Sequence, residues 1–286
     1  MSEQSDKYLP KVSFLVLTYN QENYIYDAIM SGCSQDYEGE MEIVVSDDAS
    51  TDRTQQEIER AIRDNTSQFC IRYNRQNTNQ GIGGNMHDGL ALCSGDIIVY
   101  NDGDDVSLSH RVSHSVNIFA QYRDVLLVGT EINWLCNGQE CPLESHPKEP
   151  SLTSLSDCIN DGMRWNLWGC TLAYRREIID QYPEMLRTTP TSDTWIRLRA
   201  YMLYADKKTV YASNEVCLNY RIHEKQLTNA TNIKQMNRTH LSQQYWRDYL
   251  YALVHHTYIH TYRAKTTPLY AESTHSSRFA IQQIMA

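Results

Sequence analysis

Four short runs of apolar, largely β-branched residues constrain this chain more than any other feature: VSFLVLT at 12–18, MEIVVS at 41–46, a third from Phe69 to Tyr73, and DIIVYN at 96–101. The first of them is short, continuous and β-rich, as expected of a strand covered on both faces, and the other three also read as strands. Between them lie segments with helical spacing: Glu22 to Cys33 (Tyr24, Ile25, Ala28, Ile29), Asp52 to Arg63 with Asp in its first turn, and Gly84 to Cys93, whose end Gly95 marks. Strand and helix in alternation build βαβ units. The expected fold class is therefore α/β, a mostly parallel central sheet with right-handed crossovers and helices on both faces.

In such sheets ligands sit outside the carboxyl ends of the strands. Three polar clusters fall there: Thr18-Tyr19-Asn20, Asp47 to Asp52, and Asp102-Gly103-Asp104-Asp105. All three should meet on one rim. Beyond Val125 the pattern weakens to a strand at Val125 to Thr130, a loop at Asn133 to Pro150, a strand within Trp165 to Tyr174, a helix at Asp193 to Tyr204, and short strands at Thr209 to Ala212 and Val216 to Tyr220. Asn232 to Tyr262 reads as one or two amphipathic helices rich in Tyr, Trp and His.

With 41% hydrophobic and 21% charged residues among 286, the chain can bury a sizeable core. Its net charge of −9 offers no global attraction to nucleic acid, which is not expected as a partner. Met1 to Pro10 lacks the apolar run of a signal peptide, and no stretch approaches the ~20 apolar residues of a membrane helix, so a cytoplasmic location is expected. Eight cysteines without a CxxC pair then read as reduced thiols, and the sequons at Asn65, Asn229 and Asn237 as unglycosylated.

The acidic cluster carries the chemistry. Several carboxylates at one strand end repel one another unless a cation is shared, and hard oxygen ligands suit Mg²⁺ or Mn²⁺; an acidic turn facing water is the competing reading. The run Gly81-Ile82-Gly83-Gly84 could cradle phosphate, but without a Walker lysine it reads as a flexible loop. His256 and His260 have metal-ligand helical spacing without the Glu of HExxH, which favours a solvated or interfacial helix face.

Taken together, FLVLTYN at 14–20, IVVSDDASTDRT at 43–54, Asn79-Gln80-Gly81 with Asn85, and GDIIVYNDGDD at 95–105 resemble, in order and spacing, the nucleotide-binding half of the family 2 glycosyltransferases of the GT-A fold. Downstream, GCTLAYRRE at 169–177, Ser192-Asp193 and Tyr220-Arg221-Ile222-His223 resemble that family's acceptor half. The resemblance implies a GT-A domain over residues 1–230, with its nucleotide-binding half near 10–106 and its acceptor half near 107–230, followed by a C-terminal helical extension at 231–286.

It also implies roles. Tyr19 would pack on the nucleotide base and Asp48 would hydrogen-bond it, with Thr18, Asn20, Glu22, Arg75, Gly81, Asn85, Asp102 and Gly103 completing the nucleotide site. Asp102, Asp104 and His223 would hold Mn²⁺ or Mg²⁺, supported by Asp105. Asp193 would be the base of an inverting transfer, although Ser192 stands where the family keeps a Glu. Bland roles stay open beside these: a helix cap for Asp48 or Asp193, an exposed loop arginine for Arg75, a structural histidine for His223.

The expected reaction is metal-dependent transfer of a sugar from a nucleotide diphosphate, with UDP the expected nucleotide, to a saccharide or lipid-linked saccharide hydroxyl in surface polysaccharide or oligosaccharide synthesis. Ser192 keeps a catalytically inactive sugar-nucleotide-binding protein as the alternative. A nucleotidyltransferase is disfavoured, because LTYNQEN supplies no basic, glycine-rich triphosphate loop. The C-terminal helices suit peripheral membrane contact, a homo-oligomer, or plain packing.

Overall fold

The structure, a computed structural model, describes residues 9–136, 139–141, 149–161, 167–189, 191, 193–224, 226, 247–248 and 251–252. The chain opens with β1 (Val12–Thr18), α1 (Ile25–Cys33), β2 (Met41–Asp47), α2 (Thr54–Asp64), β3 (Cys70–Arg75), α3 (Gly81–Leu92) and β4 (Ile97–Asp102). Every residue of β1 and β2 is buried, and the period of two explains how. Leu15 and Leu17 pack on one side with Met86 and Leu90 of α3, while Phe14 and Val16 pack on the other with Ile25 and Ile29 of α1 and Ile58 of α2. Both faces are covered, so no polar alternation survives in the sequence.

The second part comprises β5 (Val106–Ser107), α4 (Arg111–Gln121), β6 (Leu127–Cys136), β7 (Gln139–Cys141), β8 (Ser151–Ser154), α5 (Leu155–Asn160), a 3-10 turn (Gly169–Thr171), β9 (Ala173–Arg175), α6 (Glu177–Asp180), α7 (Thr194–Leu203) and β10 (Lys208–Ile222). Among the described residues ten strands form one sheet, in the order β3-β2-β1-β4-β9-β6-β10-β5, with β7 beside β6 and β8 beside β10. The pairs from β3 to β4 are parallel. Beyond β4 the sheet is mixed: β9 runs antiparallel to both β4 and β6, whereas β6 and β10 are parallel.

Three local expectations change. The run 81–84 lies in the first turn of α3 rather than in a loop, and Gly83 is there for close approach. A Cβ on Gly83 would lie 2.5 Å from the Thr189 carbonyl oxygen and 2.6 Å from that of Arg187. The two short strands expected after Thr209 are one strand, β10, whose register shifts between Ala212 and Val216. Polar Ser213, Asn214 and Glu215 interrupt the apolar pattern without ending the strand. Finally, β6 continues to Cys136 and forms a hairpin with β7 where a loop was expected.

Most of the expected C-terminal helices, including His256 and His260, lie outside the described residues. Asp248 and Ala252 are described and fully buried. Arg199 of α7 donates to both Asp248 carboxylate oxygens, at 2.8 and 2.9 Å, and its guanidinium lies over the rings of Trp195 and Tyr182. Cys33, Cys70, Cys93, Cys136, Cys158, Cys170 and Cys217 are free thiols. Among the described residues no helix is long and apolar enough to cross a membrane.

Candidate active site

Register brings the polar clusters together, because Thr18 pairs with Asp47 across β1 and β2 while Leu17 pairs with Asp102 across β1 and β4. The loops leaving β1 and β2 are then tied to each other. The Asp48 amide donates to the Thr18 carbonyl, the Asn20 amide to the Ser50 hydroxyl, and the Thr51 amide to the Asn20 side chain. Asn20 and Ala49 both adopt left-handed backbone, with φ of 53° and 59°. That conformation is readily accepted by Asn and costs Ala about 1 kcal/mol.

Several residues expected to meet the nucleotide hold this frame. The Asp48 carboxylate accepts from the amides of Gln80 (2.7 Å) and Gly81 (2.8 Å), anchoring the start of α3. Burial nonetheless raises its pKa, outweighing those two bonds. Asn85 donates to the carbonyls of Thr18 and Ser46 and accepts from the Ser46 hydroxyl. Thr18 donates to Gln21, and Glu22 accepts from the amide and guanidinium of Arg53. Arg75 donates to the Ser50 carbonyl and lies 3.5 Å from the Asp47 carboxylate. Tyr19 differs from these: its ring is 44% exposed on the rim, available to a flat ligand.

Asp47 went unassigned in the sequence reading, yet it organises the loop. It is fully buried, and its carboxylate accepts from the Ser50 amide and hydroxyl and from the Tyr73 hydroxyl. An Asp three residues before a Ser in a tight turn was the available signal.

The acidic cluster follows β4 directly. Gly103 is required by crowding: a Cβ there would meet Gln21 Oε1 at 2.3 Å and the Leu17 carbonyl oxygen at 2.8 Å. Burial, then the neighbouring Asp104 charge, push the Asp102 carboxyl up to about 7 against a hydrogen bond from the Tyr100 hydroxyl. Asp104 sits 2.8 Å from His223 Nε2. Asp105 is fully buried and accepts from the Arg221 amide, while its Oδ2 has no partner among the described residues. Burial, then the charges of Asp104 and Asp102, raise its pKa well above the usual range.

Arg221 also donates to the Asp104 carbonyl and to Asp27, and Tyr24 stacks against His223 at 4.5 Å between centroids. Beneath the cluster lies fully buried Arg111, which the sequence reading missed. It donates to Asn101, Ser107 and the carbonyls of Tyr100 and Cys170, placing a positive charge behind the carboxylates. It opens α4 beside His114 and Ser115, so nothing local in the sequence marked it as buried.

Asp193 lies close enough to the cluster for its charge to help raise the Asp102 pKa, after burial and the Asp104 charge. It precedes α7 but makes no side-chain cap hydrogen bond, so the helix-cap role has no support in the geometry. Its carboxylate pairs instead with Arg197 at 2.8 Å. A Cβ on Gly169 would lie 2.6 Å from Asp193 Oδ2, so the 3-10 turn presses directly against this carboxylate. Ser192 lies outside the described residues.

Among the described residues no three His, Cys, Asp or Glu side chains already converge as a ligand set. The donor chemistry nevertheless fits a divalent cation. Asp102 and Asp104 are hard oxygen donors whose mutual repulsion a cation would relieve, and the His223 imidazole already lies against Asp104.

The model of the family described as glycosyl transferase family 2 matches residues 13–182, more than half of the chain. An uncharacterized glycosyltransferase of Rickettsia prowazekii is 27% identical over 78% of this chain and 67% of its own length. The GalNAc(5)-diNAcBac-PP-undecaprenol beta-1,3-glucosyltransferase of Campylobacter jejuni is 37% identical over 37% of this chain and 33% of its own. Eight curated relatives are spanned to between 33% and 68% of their length. In fold, the chain resembles Staphylococcus aureus TarS residues 1–349 in complex with UDP-GlcNAc, with a TM-score of 0.59 and 19% identity over 92% of this chain and 76% of that one.

Proposed function

The chain belongs to glycosyl transferase family 2 and has the GT-A fold, and from that premise we propose that it moves one sugar from a UDP-sugar to an acceptor hydroxyl with inversion. The observation that carries this reading is the placing of Asp102 and Asp104 at the carboxyl end of β4, in register with the end of β1, with Asp193 close enough for its charge to help raise the Asp102 pKa. Tyr19 offers its exposed ring to the base at the donor end of the rim. The loops locked by Asp47, Asp48 and Asn85 fix where the diphosphate can lie.

Asp102, Asp104 and His223 would hold Mn²⁺ or Mg²⁺, which supplies positive charge against the leaving diphosphate. Asp193, steered by Arg197, takes the proton of the acceptor hydroxyl. The acceptor oxygen bonds to the anomeric carbon from the face opposite the donor phosphate. The bond to that phosphate oxygen breaks and its electron pair leaves with UDP. Arg221 holds Asp104 and Asp105 in register during this exchange, with the Arg111 charge behind them.

As in the Campylobacter relative's name, a lipid-linked saccharide is a fitting acceptor for a chain of this kind. A base on one side and an acid cluster on the other also argue for an enzyme rather than an inactive binder. Thermal shift decides the donor half of the proposal, since a ligand of the native state raises apparent stability. UDP should stabilise the protein in Mn²⁺ and not in excess chelator; equal shifts in both would remove the metal from the reading.

A further inference from the structure

Trp134 of β6 and Tyr220 of β10 are directly paired across parallel strands, so both side chains rise from the same face of the sheet. Their rings meet edge to face at 5.6 Å, and Trp168 closes on Trp134 at 6.2 Å with an interplanar angle of 79°. Trp168 is 37% exposed and belongs to none of the buried apolar clusters, so its ring is open to a ligand. Its indole Nε1 donates to the Glu131 carboxylate at 2.9 Å, which fixes the plane of the ring.

This cluster adjoins the reaction centre on two sides. Arg197, which pairs with Asp193, also donates to the Leu167 carbonyl, and Gly169 presses against Asp193 itself. Trp168 thus stands between two residues that touch the surroundings of the candidate base. On the far side, Tyr220 precedes Arg221, whose amide and guanidinium hold Asp105 and Asp104. A ring of fixed orientation, a carboxylate at its edge and a base one residue away make a combination suited to a saccharide. A sugar's C–H face packs on an aromatic plane while its hydroxyls donate to carboxylates.

We propose that Trp168, backed by Trp134 and Tyr220 and flanked by Glu131, is the stacking platform for the acceptor's sugar ring. The proposal rests on the glycosyl-transfer reading, and it makes the acceptor a saccharide rather than a simple alcohol or a protein hydroxyl. Gly169, the next residue, packs against Asp193, which puts the platform's backbone beside the candidate base.

The test is saturation-transfer NMR on the full chain. The probes are p-nitrophenyl monosaccharide glycosides and short oligosaccharides at millimolar concentration. At least one saccharide should bind, weaken by about tenfold or more in Trp168→Ala, and stay within about threefold in Trp168→Phe. The UDP thermal shift in Mn²⁺ should be the same in all three proteins, which also verifies their fold. If Trp168→Ala does not fold, Trp168→Leu keeps bulk, removes the ring face and carries the same expectation. No saccharide binding, or binding indifferent to Trp168, overturns the platform. Saccharide binding that needs Trp168 in a protein blind to UDP would keep the platform and sink the transfer reading instead.

Discussion

On the proposed donor side of the rim the polar side chains are held by backbone: Asp48 by two amides, Asn85 by two carbonyls, Glu22 by the Arg53 amide. On the proposed acceptor side one guanidinium does the corresponding work, since Arg197 reaches both Asp193 and the carbonyl that precedes Trp168. Regular parallel strands make the first arrangement possible, because their carboxyl ends present loops at fixed spacing. The second follows a 3-10 turn and a mixed sheet, where side-chain packing sets position. Donor geometry should therefore tolerate change in any one contact, while acceptor geometry should fail through few.

The largest expected effect tests the boundary between the two sides. Asp104→Asn should lower turnover by ~10³-fold or more and abolish the difference between Mn²⁺ and chelator in UDP binding. A variant with normal turnover would break the metal assignment. Asp193→Asn comes next: turnover should fall by ~10²-fold while UDP affinity and melting temperature stay near wild type. A loss of UDP affinity of the same size would erase the division between donor and acceptor functions.

Gly83→Ala sharpens the comparison, because α3 belongs to the donor side and the Arg187 to Thr189 segment leads to Asp193. Forcing that backbone away should cost about 1–3 kcal/mol of stability and slow transfer more than it weakens UDP binding. Chemical denaturation together with kcat measured apart from donor affinity checks it, and equal losses in both would count against the link.

The smallest effect on catalysis is expected at Glu42, inside the donor half but away from the rim. Burial tends to raise its pKa, but hydrogen bonds from Ser13, the amide and hydroxyl of Ser94, and Arg72 pull it down to about 2 from 4.5. A depressed folded-state value contributes stability that is complete above the unfolded value and lost as pH falls from about 4.5 to about 2. Glu42→Gln should lose about 2 kcal/mol at pH 7 and almost nothing near pH 2, with kcat unchanged. Denaturation midpoints across that range test the sign.

The same contrast decides what the sequence could disclose. Strands β1, β2 and β4 were legible because burial on both faces writes itself as a continuous apolar run, and the polar residues after each run marked the rim; β3, exposed or half-buried at the sheet edge, could be read only from its place between two helical segments. Motif order proposes Asp102, Asp104 and Asp193, and the structure puts Asp102 at the end of β4 and Asp193 just before α7. Gly83 could not be read, since its partner segment lies about a hundred residues later and no local pattern records a close approach. Arg111 and Asp47 hid for a related reason: a buried charge looks like a surface charge until its partners are known. The platform of Trp134, Trp168 and Tyr220 depends on the pairing of two strands far apart in sequence, and a polar interruption made one of them look like two.

The pair between Arg199 and Asp248 sets a limit on where this chain can be shortened. The family match ends at residue 182, and a designer of a minimal catalytic fragment would be tempted to stop near 230. Such a stop codon would leave a guanidinium in the core of α7 with its counter-ion deleted, a loss of about 3–5 kcal/mol in the helix that starts beside Asp193. Expression of fragments ending before and after residue 248 would show solubility returning with that single carboxylate's segment rather than with added length.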